Sequence, residues 1–286
     1  MSFITLTTDF GTKDHFVGAV KGAIYSELAD AKIVDITHEI SPFNITETAY
    51  ILKNSYKSFP KGTIHIVGVD SELSADNKHI AISLDDHFFV CPDNGLISMI
   101  ASEIQPTKIV EINIHDRIES SFPVLDVFVQ VACFIARGGN LTVIGKEIKE
   151  YKKLIEIQPK VNQTQTQIIG GVLYIDNYGN VITNISKKMF NDIGKGRNYE
   201  VNASRYSFTK IFKKYNDIAI NNSKDTNQFD GNKLALFNSA GFLEIAVYRS
   251  NLNTVGGAST LLGLEYRDPI IIDFFTETKP EYTPLS

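Results

Sequence analysis

Two aspartates stand where a binding site is easily built. Asp9 follows the run Phe3-Ile4-Thr5-Leu6-Thr7-Thr8, and Asp70 follows the run from Thr63 to Val69. Both runs are rich in β-branched residues and read as strands. In an open parallel sheet, ligands bind beyond the carboxyl ends of the strands, where both carboxylates would lie. Asp14 comes just ahead of a helical pattern that opens near His15-Phe16. An acid at such a place can accept hydrogen bonds from a ribose diol, as acids do in nucleotide sites. The plainer reading of Asp9 or Asp14 is a helix N-cap. In the second half, Asp176-Asn177-Tyr178-Gly179-Asn180 puts an acid and an amide beside an aromatic ring. By itself, Asn177-Tyr178-Gly179-Asn180 also reads as a simple turn.

Other chemistries lack their residues. There is no glycine-rich phosphate loop, no HExxH, no GxSxG and no Cys/His pair at zinc spacing. The six histidines (15, 38, 65, 79, 87, 115) are scattered. Phosphate cradling, metal-dependent hydrolysis and serine hydrolysis are therefore unsupported.

The elements that must position these residues alternate in the first half. Strands are expected at 3–7, 32–36, 63–69, 79–84, 88–91 and 108–112, with 79–84 and 88–91 a pair around Asp85-Asp86-His87. Between them, Phe16, Val20, Ala23, Ile24 and Leu28 recur at helical spacing, as do Ala49, Leu52, Tyr56 and Phe59. Asn44 and Glu47 resemble a capping box for the second helix. Val124, Phe128, Val131, Ala132 and Ile135 mark another, stopped by Gly138-Gly139. This alternation implies an α/β domain with a largely parallel sheet, over residues 1–155. The polar run Asn162 to Gln167 suggests a linker or loop, with the linker placed at residues 156–167. Residues 168–286 read as a smaller β domain, with strands at 168–175 and 181–185 and a hairpin around Asn238-Ser239-Ala240-Gly241. One short helix is expected near 187–193.

Composition sets outer bounds. The chain has 286 residues, 43% hydrophobic and 21% charged, which excludes disordered, collagenous and disulfide-scaffold classes. Its net charge of −5 gives no general attraction for nucleic acid. Lys187-Lys188 and Lys210 with Lys213-Lys214 read as solvated faces. Cys91 and Cys133 sit in apolar contexts and read as buried free thiols. No stretch nears the ~18 apolar residues of a membrane span. A soluble, cytoplasmic protein is expected, with no nucleic-acid or membrane partner.

Four segments, in order, carry a family resemblance. They are Thr7-Thr8-Asp9-Phe10-Gly11, Pro92-Asp93-Asn94-Gly95-Leu96, Ile175 through Ile185, and Asn238-Ser239-Ala240-Gly241-Phe242-Leu243-Glu244-Ile245-Ala246. They resemble the S-adenosyl-L-methionine (SAM) hydroxide adenosyltransferases, relatives of the bacterial fluorinase and chlorinase. The resemblance implies an N-terminal α/β domain, a C-terminal barrel-like β domain and a homotrimer. It also implies that SAM lies between the N-domain of one subunit and the C-domain of its neighbour. Attack at the ribose C5′ would release L-methionine, and water as nucleophile would leave adenosine. SAM would be the substrate, with no cofactor and no metal. By position, Asp9 would grip the ribose hydroxyls and Phe43 would pack on the sugar. Asp14 and Asp176 would hold the methionine ammonium, with Ser239 near its carboxylate. Tyr178 would stack on adenine and Asn180 would hydrogen-bond it. A cationic substrate suits carboxylates and aromatic faces.

The water-using relatives resemble one another in an Asp–Arg–His set. Here the acid is kept as Asp70, Asn77 stands at the Arg position and Pro123 at the His position. Asp70 is thus the expected catalytic residue of a SAM hydrolase. Two alternatives stay open: binding of SAM or adenosine without turnover, and adenosyl transfer to another nucleophile. Halide is disfavoured, because a carboxylate ~4 Å away would repel it by a few kcal/mol. The segment from Tyr248 to Ser259 is longer than the family's turn. It reads as a surface insertion, or as a rebuilt adenine edge with Arg249 supplying a cation.

Overall fold

The computed structural model describes residues 2–101, 104–114, 120–155, 157–219 and 229–276. The chain divides into two compact units, 1–156 and 157–286.

The first unit begins with β1 (Phe3–Thr8), whose β-branched residues are buried on both faces. It continues through α1 (Phe16–Glu27), β2 (Lys32–Thr37), α2 (Ile45–Ser55), β3 (Ile64–Gly68), β4 (His79–Leu84), β5 (His87–Pro92), α3 (Leu96–Ile100) and β6 (Lys108–Ile112). A helix α4 follows, a π turn (Val124–Phe128) leading into α-helix (Val129–Ala136), and β7 (Gly145–Glu147) ends the unit. The sheet runs β2-β1-β3-β5-β4-β6-β7. The β2-β1-β3-β5 half is parallel, as expected; the remaining pairings are antiparallel. The reversal comes from the two-residue turn Asp85-Asp86. Both of its φ angles are positive (52° and 60°), the geometry of a hairpin turn that can only join antiparallel strands.

Helices cover both faces. Ile4, Leu6, Ile64 and Ile66 pack with Val20 and Ile24 of α1 and Phe128 of α4. On the other face, Val67, Ile80, Ile82 and Phe89 pack with Leu52 of α2 and Leu96 of α3. α1 and α2 pack on opposite faces of the sheet, and the carboxyl ends of the strands between them are where open α/β sheets bind ligands. The cap of α2 is modified. Asn44 Oδ1 accepts from the Glu47 N–H at 3.1 Å, but the Glu47 carboxylate turns to the Ser41 N–H and the Asn44 side-chain amide.

The second unit contains β8 (Lys160–Val161), β9 (Gln167–Ile175), β10 (Val181–Ser186), α5 (Lys187–Gly194), β11 (Asn198–Ala203), β12 (Tyr206–Phe208), β13 (Ile211–Phe212), β14 (Lys233–Phe237), β15 (Phe242–Val247), α6 (Ala258–Leu262) and β16 (Pro269–Phe275). Its strands form one nearly closed, barrel-like sheet in the order β12-β11-β16-β9-β10-β15-β14-β13, with β8 on β9. Ile168, Val181, Val201, Leu243, Ile245 and Ile272 fill the interior. The short helix expected after β10 is α5, capped by Ser186; α6 is a second short helix. The polar run 162–167 is a hairpin turn between β8 and β9, stapled by Asn162 Oδ1 accepting from the N–H groups of Thr166 and Gln167.

Cys91 and Cys133 are buried and unbridged. Burial pushes both thiols up, Cys133 to about 11, so both stay protonated. No helix among the described residues is long and apolar enough to cross a membrane.

Candidate active site

The carboxyl ends of β1, β2 and β3 meet at one edge of the first unit. After β1, Asp9 Oδ2 accepts from the Phe43 N–H at 3.0 Å. The loops after β1 and β2 are also joined by backbone bonds, Gly11 N to His38 O at 2.7 Å and Ile40 N to Thr8 O at 3.4 Å. Asp9 thereby holds Phe43 in a left-handed conformation (φ 62°) with its ring 69% exposed. A bulky residue in that region is strained, and such strain clusters at functional sites.

A chain of polar contacts, buried at Thr8 and His38 and open to solvent at Asp35 and Lys21, supports this corner. Thr8 Oγ1 bonds His38 Nδ1 at 2.8 Å, His38 Nε2 faces Asp35 Oδ1 at 3.2 Å, and Lys21 pairs with Asp35 Oδ2 at 2.6 Å. Burial would raise Asp35, but Lys21 and His38 outweigh it and hold its carboxyl below the usual range.

Asp14 is exposed on the loop leading into α1. The N-cap of α1 is His15, with no side-chain cap, so neither Asp9 nor Asp14 is the helix cap that the plainer reading required.

Asp70 follows β3, half-buried, also with a positive φ of 49°. Its carboxylate has no hydrogen bond or ion pair among the described residues. Asn77, at the family's Arg position, does not reach that carboxylate; its Nδ2 donates to the carbonyls of Asp70 and Glu72. Just before Asp70, a Cβ on Gly68 would lie 2.8 Å from Val124 Cγ2 and 3.1 Å from Phe10 Cζ. The missing side chain lets the start of α4 and the Phe10 ring close onto the end of β3. Phe10, Phe16 and Phe122 stack edge-on or tilted, with centroids 5.3–5.8 Å apart. Pro123, at the family's His position, is buried and caps the π turn of α4. That edge of the site is therefore apolar rather than basic.

In the second unit, Asp176 organises the turn before β10. Its Oδ1 accepts from the N–H groups of Tyr178 and Asn180, both at 2.8 Å, and its Oδ2 from Asn180 Nδ2 at 2.9 Å. Asn180 is buried while the Tyr178 ring is 64% exposed. The turn rests on the segment that follows β15. Ser259 N donates to Gly179 O at 2.9 Å and Ser250 Oγ to Tyr178 O at 3.2 Å. The long segment 248–259 is thus the bed of the Tyr178 turn. Arg249 faces Asp230 at 3.6 Å and lies over the Tyr248 ring.

Ser239 is exposed in the turn between β14 and β15. The register places it at the opposite end of the β10–β15 pair from Asp176: Val181 pairs with Ile245, whereas Ser186 pairs with Phe242. Between the two turns lies a residue without a sequence signal of its own. Glu244 is buried, and its carboxyl bonds the Tyr215 hydroxyl and the Asn238 side chain. Burial pushes Glu244 up; those two bonds work against this, and the nearby Asp176 charge adds to it. Asn238 Oδ1 in turn accepts from Ala240 N and Phe242 N, so Glu244 steadies the Ser239 turn. Glu244 was visible only as a polar letter inside an apolar strand.

Among the described residues, no cluster of His, Cys, Asp and Glu is arranged to hold a metal ion.

An α/β unit with acids at the ends of adjacent parallel strands, followed by a barrel-like unit whose turns carry Asp, Tyr, Asn and Ser, defines a two-unit class of small-molecule-binding protein. The chain belongs to the SAM hydroxide adenosyltransferase family: the N-terminal domain model matches residues 4–145 and the C-terminal domain model residues 170–271. It is 33% identical to the (R)-S-adenosyl-L-methionine hydrolase of Methanocaldococcus jannaschii, over 95% of this chain and 96% of that protein. It is 22% identical to a fluorinase of Actinopolyspora mzabensis, over 68% of this chain and 74% of that one. A crystal structure of an uncharacterized conserved protein from Thermotoga maritima superposes with a TM-score of 0.80 at 31% identity, covering 95% of this chain and 99% of that one.

Proposed function

We propose that the protein hydrolyses SAM to adenosine and L-methionine by in-line attack of water at the ribose C5′. The observation that carries this reading is the Asp70 carboxylate, without a partner among the described residues, at the end of β3, next to β1, whose end carries the Asp9–Phe43 corner. The water oxygen bonds C5′ as the C5′–S bond breaks. The bonding pair leaves with sulfur, which becomes a neutral thioether, so the leaving group needs no proton. The water proton passes to Asp70 and on to solvent. The chemistry reduces to holding water and sulfonium in line, an effect that alone can lower a barrier by ~7–11 kcal/mol.

Asp9 has one oxygen on Phe43 N and one left for the ribose hydroxyls. The exposed Phe43 ring packs on the sugar. Asp14 and Asp176 hold the methionine ammonium, and Ser239 its carboxylate. Tyr178 offers an exposed face to adenine, and Asn180, whose amide nitrogen donates to Asp176, turns its carbonyl to the adenine edge. We place the working form as a homotrimer in the cytoplasm, with SAM as substrate and no cofactor. Unbridged thiols suit a reducing compartment.

Relatives named as hydrolases act on the (R) epimer, so both sulfonium epimers belong in the test. Purified protein is incubated with each in heavy-oxygen water, and adenosine is followed by chromatography and mass spectrometry. Labelled adenosine is expected, its release much slower but still measurable in Asp70→Ala. No adenosine above the blank, with Asp70→Ala indistinguishable from the parent, refutes hydrolysis. Binding without turnover is the second reading, favoured by Pro123 at the family's His position. Calorimetric titration that finds binding while no product forms would select it.

A further inference from the structure

Four consecutive carbonyls around Asp70 each receive a side-chain donor. Asn94 Nδ2 donates to Val69 O at 3.1 Å, Asn77 Nδ2 to Asp70 O at 2.8 Å and to Glu72 O at 3.0 Å, and His79 Nε2 to Ser71 O at 2.8 Å. The loop is also tied to itself. Ser74 N donates to Asn77 O at 3.1 Å, and Ser74 Oγ accepts from Asn77 N at 3.0 Å and Asp76 N at 3.3 Å. His79 is fully buried, its ring edge-on to Phe128 at 4.7 Å, and Asn94 is nearly so. Asp70 sits at the middle of this set in a left-handed conformation, which persists in an ordinary residue only where the surroundings over-determine it.

Asn77 is the pivot, since one amide bridges the two carbonyls that flank Ser71. It does so at a cost: its Oδ1 is buried with no donor among the described residues, an arrangement that folded proteins avoid. A basic side chain at this place would bring a cation toward Asp70. The neutral amide instead acts on the backbone and leaves the carboxylate charge uncompensated.

We propose that Asn77 is a positioning residue for Asp70: with His79 and Asn94 it locks the 69–72 backbone so that the free carboxylate faces the attacking water. This rests on the hydrolase reading and deepens it. Asn77 touches no reacting atom; it acts through the Asp70 and Glu72 carbonyls.

Asn77→Ala removes both bonds, and Asn77→Asp keeps the shape while replacing the donor with an acceptor. For either variant, kcat for adenosine release should fall about tenfold to a hundredfold, the usual consequence of a misplaced catalytic group, while KM stays within about twofold. In an Asp70→Ala background, Asn77→Ala should cost nothing further. Backbone amides of residues 71–77 should exchange with solvent about tenfold faster in Asn77→Ala than in the parent, with the β1 and β5 amides unchanged. An unchanged kcat, an equal loss in the Asp70→Ala background, or unchanged loop exchange would each overturn the proposal. If the parent releases no adenosine, the hydrolase reading fails, and the exchange measurement still decides whether Asn77 locks the loop.

Discussion

Replacing Gly68 by alanine adds one methyl group where three atoms already meet. The new Cβ would lie 2.8 Å and 3.3 Å from the two γ-carbons of Val124, and 3.1 Å from Phe10 Cζ. Carbon atoms rest at ~3.5–4.0 Å, so the start of α4 or the end of β3 must yield by close to 1 Å. Overpacking of this size costs ~1–3 kcal/mol. Val124 is fully buried, and Val124→Ala deletes two methyl groups for about 2 kcal/mol, counting transfer and cavity. In the double variant both Val124 contacts, the worst among them, are gone and only the one to Phe10 remains, so its loss should fall short of the sum by ~1–2 kcal/mol, the coupling expected of touching residues. The chain has no tryptophan, so calorimetry is the better probe; 1 kcal/mol corresponds to ~2–4 °C in a unit of this size. The same displacement moves Asp70, two residues on. Gly68→Ala should therefore lower kcat for adenosine release about tenfold, with partial recovery in the double variant. Additive stabilities within ~0.5 kcal/mol would refute the claim that Gly68 exists to admit Val124 and Phe10 to the site edge.

Three further outcomes follow from particular residues. Phe43→Gly should relieve the left-handed backbone and raise stability by ~0.5–1 kcal/mol, while the KM for SAM rises because the sugar loses its ring; thermal unfolding and adenosine release separate the two effects. His65 is buried against His87, Thr5 and Tyr56, and burial first, then the His87 charge, holds it down to about 3. The unfolded chain therefore takes up this proton first. Stability is full above pH ~6.5 and declines by ~1.4 kcal/mol per pH unit below it, about 2 kcal/mol by pH 5, and denaturant midpoints of His65→Phe should lose that part of the slope. Gly179→Ala forces a residue with φ 75° against Leu252 Cδ2 at 2.7 Å and the Gly257 backbone at 2.9 Å. It should displace the Tyr178 turn and abolish calorimetric binding of adenosine while Asp9→Ala merely weakens it.

Much of this molecule was legible from local pattern. The strands that carry Asp9 and Asp70, the Asn44 cap, the stop at Gly138 and the hairpin around Ser239 all follow from periodicity and turn chemistry, which act within a few residues. The pairing of β4 with β5 around Asp85-Asp86 is legible too, but the antiparallel addition of β6 to β4 and of β7 to β6 is not, because those strands meet across long stretches of chain. Of the two readings of the polar run 162–167, linker or loop, the structure shows a loop, a hairpin turn whose staple is the Asn162 side chain.

What the sequence by itself determined is the set of candidate groups and the elements that bear them, including the exchange of Arg and His for Asn77 and Pro123. Tertiary structure alone decided what those groups do to one another. It tied Asp9 to the strained Phe43, 34 residues away. It turned Asn77 toward backbone carbonyls rather than the Asp70 carboxylate, set Ser239 and Asp176 at opposite ends of one strand pair, and buried Glu244 between them. Propensity and spacing report on neighbours along the chain. Hydrogen bonds and desolvation depend on what the fold brings to within a few ångströms, and no local pattern encodes that.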